Sequence, residues 1–118
     1  MPLILEGVVT SRNADRSVNV APMGPIVDRE LSSLLLRPFQ SSTTCRNLLR
    51  TRCGVFCIVD DVELIARAAL DRLVDAPATE PAHVIDGEVL SAACRWYEFE
   101  VTTANLDDNR SELTTRIV

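Results

Sequence analysis

At 118 residues, with a net charge of −5 and 47% hydrophobic against 25% charged residues, the chain is sized and composed for one globular domain, residues 1–118. Its acidity disfavours a general role on DNA or RNA, and all twelve basic residues are Arg, which excludes Schiff-base or lysine-base chemistry. No apolar run is long enough to cross a bilayer and no basic-then-apolar leader opens the sequence, so the expectation is a cytoplasmic protein with no membrane association.

Leu3 to Ser11 reads as a strand, with Gly7 marking a bulge or a close approach by another segment. Asn13-Ala14-Asp15-Arg16 is a polar turn, after which Val18 and Val20 alternate with Asn19 and Ala21 as the second strand of a hairpin. That strand runs into Ala21-Pro22-Met23-Gly24-Pro25. Its two prolines lack N–H groups, so the piece cannot pair normally inside a sheet, and the backbone of Met23 and Gly24 is left free to face a ligand. A plain edge-strand exit loop is the simpler alternative.

Leu31 to Leu36 predicts a third strand, and a short helix follows over Thr44 to Arg52, with Gly54 just past its end. Val55 to Val59 is a continuous apolar run, which predicts a central strand covered on both faces. Asp60 and Asp61 cap the next element, where Val62, Ile65, Ala66, Ala69 and Leu73 fall at helical spacing. Asp75 to Pro81 reads as a loop, and Val84 to Ala93 fits strand or helix. Tyr97, Phe99 and Val101 alternate with Trp96, Glu98, Glu100 and Thr102 as a half-exposed strand. Asn105 to Arg110 makes a turn into a last strand, Leu113 to Val118.

Between the third strand and the short helix lies Arg37-Pro38-Phe39-Gln40-Ser41-Ser42-Thr43-Thr44-Cys45-Arg46-Asn47. The hydroxyl cluster sits at a helix start, where unpaired N–H groups and the positive end of the helix dipole favour an anion. No Asp or Glu occurs between Glu30 and Asp60, while Arg37, Arg46, Arg50 and Arg52 give that window a charge of +4. A basic island in an acidic chain points to a specific small anion. The alternative is that Ser42 to Thr44 simply cap a helix and the arginines are solvated.

Cys45, Cys53, Cys57 and Cys94 match no zinc-knuckle spacing, so buried free thiols and no metal are expected. A hydrolase triad would have to use His83, the only histidine, which follows a Pro-rich stretch poorly suited to orienting a base. No P-loop or G-x-G-x-x-G motif is present. Five or six strands with two helices among them predict a mainly β, α+β domain built on an antiparallel barrel or curved sheet.

Two motifs in order, Asn19-Val20-Ala21-Pro22-Met23-Gly24-Pro25 and then Arg37-Pro38-Phe39 with Ser41-Ser42-Thr43-Thr44-Cys45-Arg46-Asn47-Leu48, resemble the FMN-binding split-barrel superfamily. Within it, the chain is similar to the flavin reductase-like family named domain of unknown function four-four-seven, from about Leu5 to Ala69 and more loosely beyond. The resemblance implies a six-stranded antiparallel split β-barrel with two or three short helices, a homodimer, and FMN near the subunit interface. It implies that the loop of Ser41, Ser42, Thr43, Thr44 and Asn47 takes the phosphate, which Arg37 neutralises. It also implies that Val20, Ala21, Pro22, Met23 and Gly24 lie along the isoalloxazine edge and supply backbone hydrogen bonds. Relatives commonly carry Asp-Gly where this chain has Asp15-Arg16, and they continue into a further helical segment past the barrel.

The function expected is that of a flavin-dependent oxidoreductase or flavin reductase with a nicotinamide or other small-molecule electron partner, and with no side chain singled out as catalytic. A non-catalytic flavin- or anion-binding module, acting as carrier, sensor or subunit, is the alternative. An oligomeric structural protein with an incidental phosphate pocket is a third.

Overall fold

A hairpin interrupted in its middle shapes the molecule. The computed structural model describes residues 3–60, 62–69 and 77–118. β1 (Leu3–Ile4) and β2 (Gly7–Arg12) run antiparallel to β4 (Ile26–Val27) and β3 (Val18–Met23), in one register from Leu3 opposite Val27 to Arg12 opposite Val18. The interruption falls at Leu5–Glu6 facing Gly24–Pro25, where the Leu5 N–H still donates to the Pro25 carbonyl at 3.1 Å. Pro25 has no N–H with which to continue the ladder. Pro22 is tolerated inside β3 because β3 is the last strand of the sheet, where a missing outward donor breaks nothing.

β5 (Ser33–Leu36), β6 (Cys53–Val59), β9 (Ala93–Asn105) and β10 (Glu112–Ile117) complete an antiparallel sheet of order β1-β4-β5-β10-β9-β6-β2-β3. The sheet thus has eight strands, not the six expected. The difference is the interruption itself, which cuts two long strands into β1 with β2 and β3 with β4. One of these pairs with β6 and the other with β5, so their shared ladder curls the sheet round on itself as a split barrel.

Gly7 sits at the near edge of the interruption because nothing larger fits: a Cβ there would lie 2.3 Å from the Cys57 carbonyl oxygen. Close approach, rather than a bulge, is the reason for this glycine. The barrel interior holds Val9, Leu34, Leu36, Phe56, Phe99, Val101 and Leu113, with Leu48 reaching in from α1 (Thr43–Thr51). A second apolar layer, Val8, Val55, Cys57 and Val59, lies on the opposite face of β2 and β6. It is covered by Val89 and Leu90 of β8 (Glu88–Leu90) and by Ile65 of α2 (Val62–Ala69). β6 is therefore buried on both faces, as its unbroken apolar run predicts.

Other expectations shift in detail. α1 begins and ends one residue earlier than predicted, with Ser42 as N-cap and Arg52 as C-cap in the left-handed region at φ 63°. Gly54 is not the cap; it lies inside β6, where a Cβ would meet Phe99 Cζ at 2.8 Å. Part of the predicted loop is β7 (Thr79–Pro81), paired with β8; the ambiguous stretch Val84 to Ala93 is a bend through residue 87, the short strand β8, and a turn into β9. Asp61, Leu73, Asp75 and Ala76 fall outside the described residues. All four thiols are free; Cys45 and Cys57 are buried as expected, but Cys53 is half-buried and Cys94 is exposed.

Candidate functional site

The start of α1 is built from local hydrogen bonds. Ser42 has extended backbone (φ −75°, ψ 152°), and its Oγ accepts the Cys45 N–H at 3.1 Å while donating to the Phe39 carbonyl at 2.7 Å. The N–H groups of Thr43 and Thr44 have no intrahelical acceptor and no other partner among the described residues. The first turn carries no acidic side chain to answer the positive end of the helix dipole.

β3 lies against this helix start. Asn19 Nδ2 donates to Oγ1 of the buried Thr44 at 3.0 Å, fixing the strand to the first turn. Beyond that contact a cavity of about 210 Å³ opens, lined by Ala21, Pro22, Met23, Arg37, Pro38, Phe39, Ser42, Thr44 and Arg110. Among the described residues no carboxylate is in its lining. A neighbouring cavity of about 380 Å³ is lined by Glu6, Gly7, Pro22, Met23, Gly24, Ile65 and Arg110, and so shares three walls with the first. It opens over the interruption in the barrel wall. The backbones of Glu6 and Gly24, in neither strand there, form no backbone hydrogen bond among the described residues.

Of the residues singled out in the sequence, Ala21, Pro22, Met23, Arg37, Ser42 and Thr44 therefore meet in one cavity, and Gly24 joins Pro22 and Met23 in the next. Four others lie elsewhere. Val20 lines a separate apolar cavity of about 260 Å³ with Ser17, Val18, Pro77 and Thr79. The Ser41 carbonyl and Thr43 Oγ1 accept from Arg46 Nη1 and Nη2 at 2.8 and 3.3 Å, so Arg46 folds back over the outside of the helix start. Asn47 is buried, and its amide donates to Ser11 Oγ (3.1 Å) and Asn13 Oδ1 (2.8 Å), tying α1 to the β2–β3 hairpin. Arg50 donates to the Arg12 carbonyl in the same hairpin.

Arg110, which lines both cavities, was missed by sequence reasoning and read only as the end of a turn; Glu6 and Ile65 of the larger cavity were not singled out either. His83 stays away from both cavities, its ring edge-on to Trp96 at 5.5 Å between centroids.

This architecture is that of the flavin reductase-like split barrels. Residues 5–118 match the family model described as Protein of unknown function (DUF447) N-terminal domain, and the chain belongs to that family. Among solved structures it is similar to an FMN-bound protein of the same family from Methanosarcina mazei, at 25% identity and a TM-score of 0.78. That match covers 98% of this chain but only 57% of the other, so the chain spans little over half of that relative. An FMN-binding protein from Thermus thermophilus with bound p-hydroxybenzaldehyde aligns at 18% identity and a TM-score of 0.80, over 100% of this chain and 70% of that one. Flavoredoxin of Desulfovibrio vulgaris (Miyazaki F) aligns at 11% identity and a TM-score of 0.83, over 99% and 68%. These last two likenesses concern the fold. No curated protein matches the chain significantly.

Proposed function

We propose that this chain is the FMN-binding domain of a flavin-dependent oxidoreductase or flavin reductase, with the phosphate at the start of α1 and the isoalloxazine along Pro22–Gly24. The carrying observation is the meeting of these two segments in adjoining cavities that share Pro22, Met23 and Arg110. The donor set suits the ligand. Two guanidinium groups and Thr44, with its hydroxyl and its unengaged N–H, gather at one end, where a dianion needs charge-assisted donors. At the other end an apolar wall borders backbone without a ladder partner, which suits a flat ring with a polar edge. The larger cavity, about 380 Å³, falls in the range of cofactor sites, roughly 300–1,000 Å³, and the smaller, about 210 Å³, adjoins it as a phosphate-sized annex.

FMN, when bound, supplies the electron-transfer chemistry. The chain's own residues bind and orient. Pro22 and Met23 exclude water along one face, Gly24 and Glu6 offer main-chain donors and acceptors, and Arg37 with the helix start fixes the phosphate. The reading extends to a cytoplasmic homodimer with the flavin near the subunit interface, and to a nicotinamide or other small-molecule electron partner. Reconstituted protein should retain flavin absorbance and quench FMN fluorescence saturably, and should run at twice its chain mass. A spectrum that stays featureless in the flavin bands sinks the proposal.

One observation favours a second reading, a non-catalytic flavin carrier, sensor or subunit: no His or Cys lines either cavity among the described residues. Steady-state oxidation of NADH or NADPH with FMN separates the two, since a carrier binds without turnover.

A further inference from the structure

We propose that Arg110, on the loop leading into β10, is the residue that reads the phosphate and so selects FMN over riboflavin; this rests on the flavin reading above. The register delivers it. β5 and β10 pair from Ser33 opposite Arg116 to Leu36 opposite Leu113, and the same register continues past Pro38 to an antiparallel bridge between Phe39 and Arg110. The fully buried Ser111 locks that extension, its N–H donating to the Pro38 carbonyl at 3.0 Å and its Oγ to the same oxygen. Cys45 Sγ in turn donates to Ser111 Oγ at 3.5 Å, so the loop is fixed to the first turn of α1.

The side chain is held as firmly as the backbone. Arg110 Nε donates to the Arg37 carbonyl at 2.6 Å, and the guanidinium lies over the Phe39 ring, 4.8 Å from its centroid. Among the described residues it makes no ion pair, although Asp107 and Asp108 are close in sequence, and neither terminal nitrogen has a hydrogen-bond partner. A guanidinium fixed at Nε and on one face has already lost its rotamer freedom, and its two Nη groups remain to take a phosphate side by side. Both arginines are exposed, but the Arg37 side chain, unlike that of Arg110, has no orienting partner among the described residues. The charge at position 37 attracts; the geometry at position 110 recognises.

Because Arg110 lines both cavities, it stands where the phosphate end passes into the ring end. Its worth should therefore appear with a phosphorylated flavin and vanish without the phosphate. The test is titration of FMN and of riboflavin, followed by flavin fluorescence, against wild type, Arg110→Ala, Arg110→Lys and Arg37→Ala, with a thermal melt of each variant. Arg110→Ala should weaken FMN roughly 10- to 100-fold and leave riboflavin unchanged. Arg110→Lys should recover part of the loss, and Arg37→Ala should lose less than Arg110→Ala. Equal losses for both flavins, or unaltered FMN affinity in a folded Arg110→Ala protein, overturn the role of Arg110 while leaving the flavin reading in place. A wild-type chain that binds neither flavin takes both down.

Discussion

Asn19 on β3 and Thr44 in the first turn of α1 are joined by a 3.0 Å hydrogen bond from amide to hydroxyl. Twenty-five residues apart in sequence, they hold together the two segments whose meeting makes the cavity. Thr44 is 4% exposed, so its hydroxyl depends on this partner rather than on water. Thr44→Val keeps the shape and removes the acceptor, and it should cost about 1 kcal/mol in urea unfolding. Asn19→Ala should cost a similar amount, and the double variant little more than either, because both remove one interaction. Each should also weaken FMN. Strictly additive losses would show that the bond does not couple strand to helix.

Two glycines at the interruption separate stability from binding. At Gly7 an added Cβ meets backbone, the Cys57 carbonyl oxygen at 2.3 Å and its carbon at 3.2 Å, which cannot move without disturbing the β2–β6 ladder. Gly7→Ala should cost about 2–3 kcal/mol of stability. At Gly24 the nearest atoms are Ile4 Cγ2 and the Leu5 carbonyl oxygen, both at 3.6 Å, an ordinary contact. Gly24→Ala should change stability by less than about 0.5 kcal/mol, and its effect should appear in flavin affinity. A Gly7→Ala protein with wild-type midpoint would refute the close-packing account of that position.

What could be read from the sequence was whatever local chemistry dictates. Pro25 announced the break in the ladder, although Pro22 and Met23, expected to stay unpaired, pair with Val8 and Gly7 at the edge of the sheet; Ser42 announced a helix start; the unbroken run from Val55 announced a strand covered on both faces. What could not be read depends on partners far along the chain. Arg110 reaches the cavity only because β5 and β10 share a register that continues past Pro38, and no local pattern encodes that pairing. Asn47 looked like part of a ligand loop, yet it is buried and turned toward Ser11 and Asn13, since a helix start shows its faces only once its neighbours are placed. β4 is two residues long, too short to leave a period. Glu98 fell on the face that alternation assigns to solvent, but the segment through Ile85 folds over it.

Arg16 occupies a backbone conformation in the first hairpin that suits Gly better. Its φ of 75° is in the left-handed region, where a Cβ crowds the following carbonyl. What Arg gains is a two-pronged ion pair with Asp86, Nη1 to Oδ2 at 2.8 Å and Nη2 to Oδ1 at 3.0 Å, fully in solvent. The hydrogen bonds from Arg16 hold the Asp86 carboxyl below its ordinary pKa. Exposed pairs of this kind contribute little and are screened by salt. Arg16→Gly should therefore match or exceed wild-type stability, with its advantage growing in high salt. Arg16→Ala, which loses the pair and keeps the strain, should be less stable than both. Thermal midpoints at two salt concentrations decide the matter; an Arg16→Gly protein that melts below Arg16→Ala would contradict the backbone argument.

Glu98 sets a pH dependence of known sign. Its carboxylate accepts the N–H groups of His83 (2.9 Å), Val84 (2.6 Å) and Ile85 (3.1 Å) and the Trp96 indole N–H (3.3 Å), pinning that segment to β9. Burial works to raise its pKa, but these hydrogen bonds outweigh burial and leave the carboxyl below its ordinary value of 4.5. A pKa depressed by folding gives stability that is complete above the unfolded value and fades as pH falls through the folded one. The loss should thus begin below 4.5 and not near neutrality. Glu98→Gln offers one oxygen and a donor pair where four N–H groups converge, and it should cost about 2 kcal/mol at neutral pH. The gap from wild type should narrow in acid, as protonation does to the native protein what the substitution does at every pH. Trp96 is the only tryptophan and donates to this carboxylate, so its emission reports release of the segment directly. A gap that stays constant well below 4.5 would mean that shape, not the charge of Glu98, holds the segment in place.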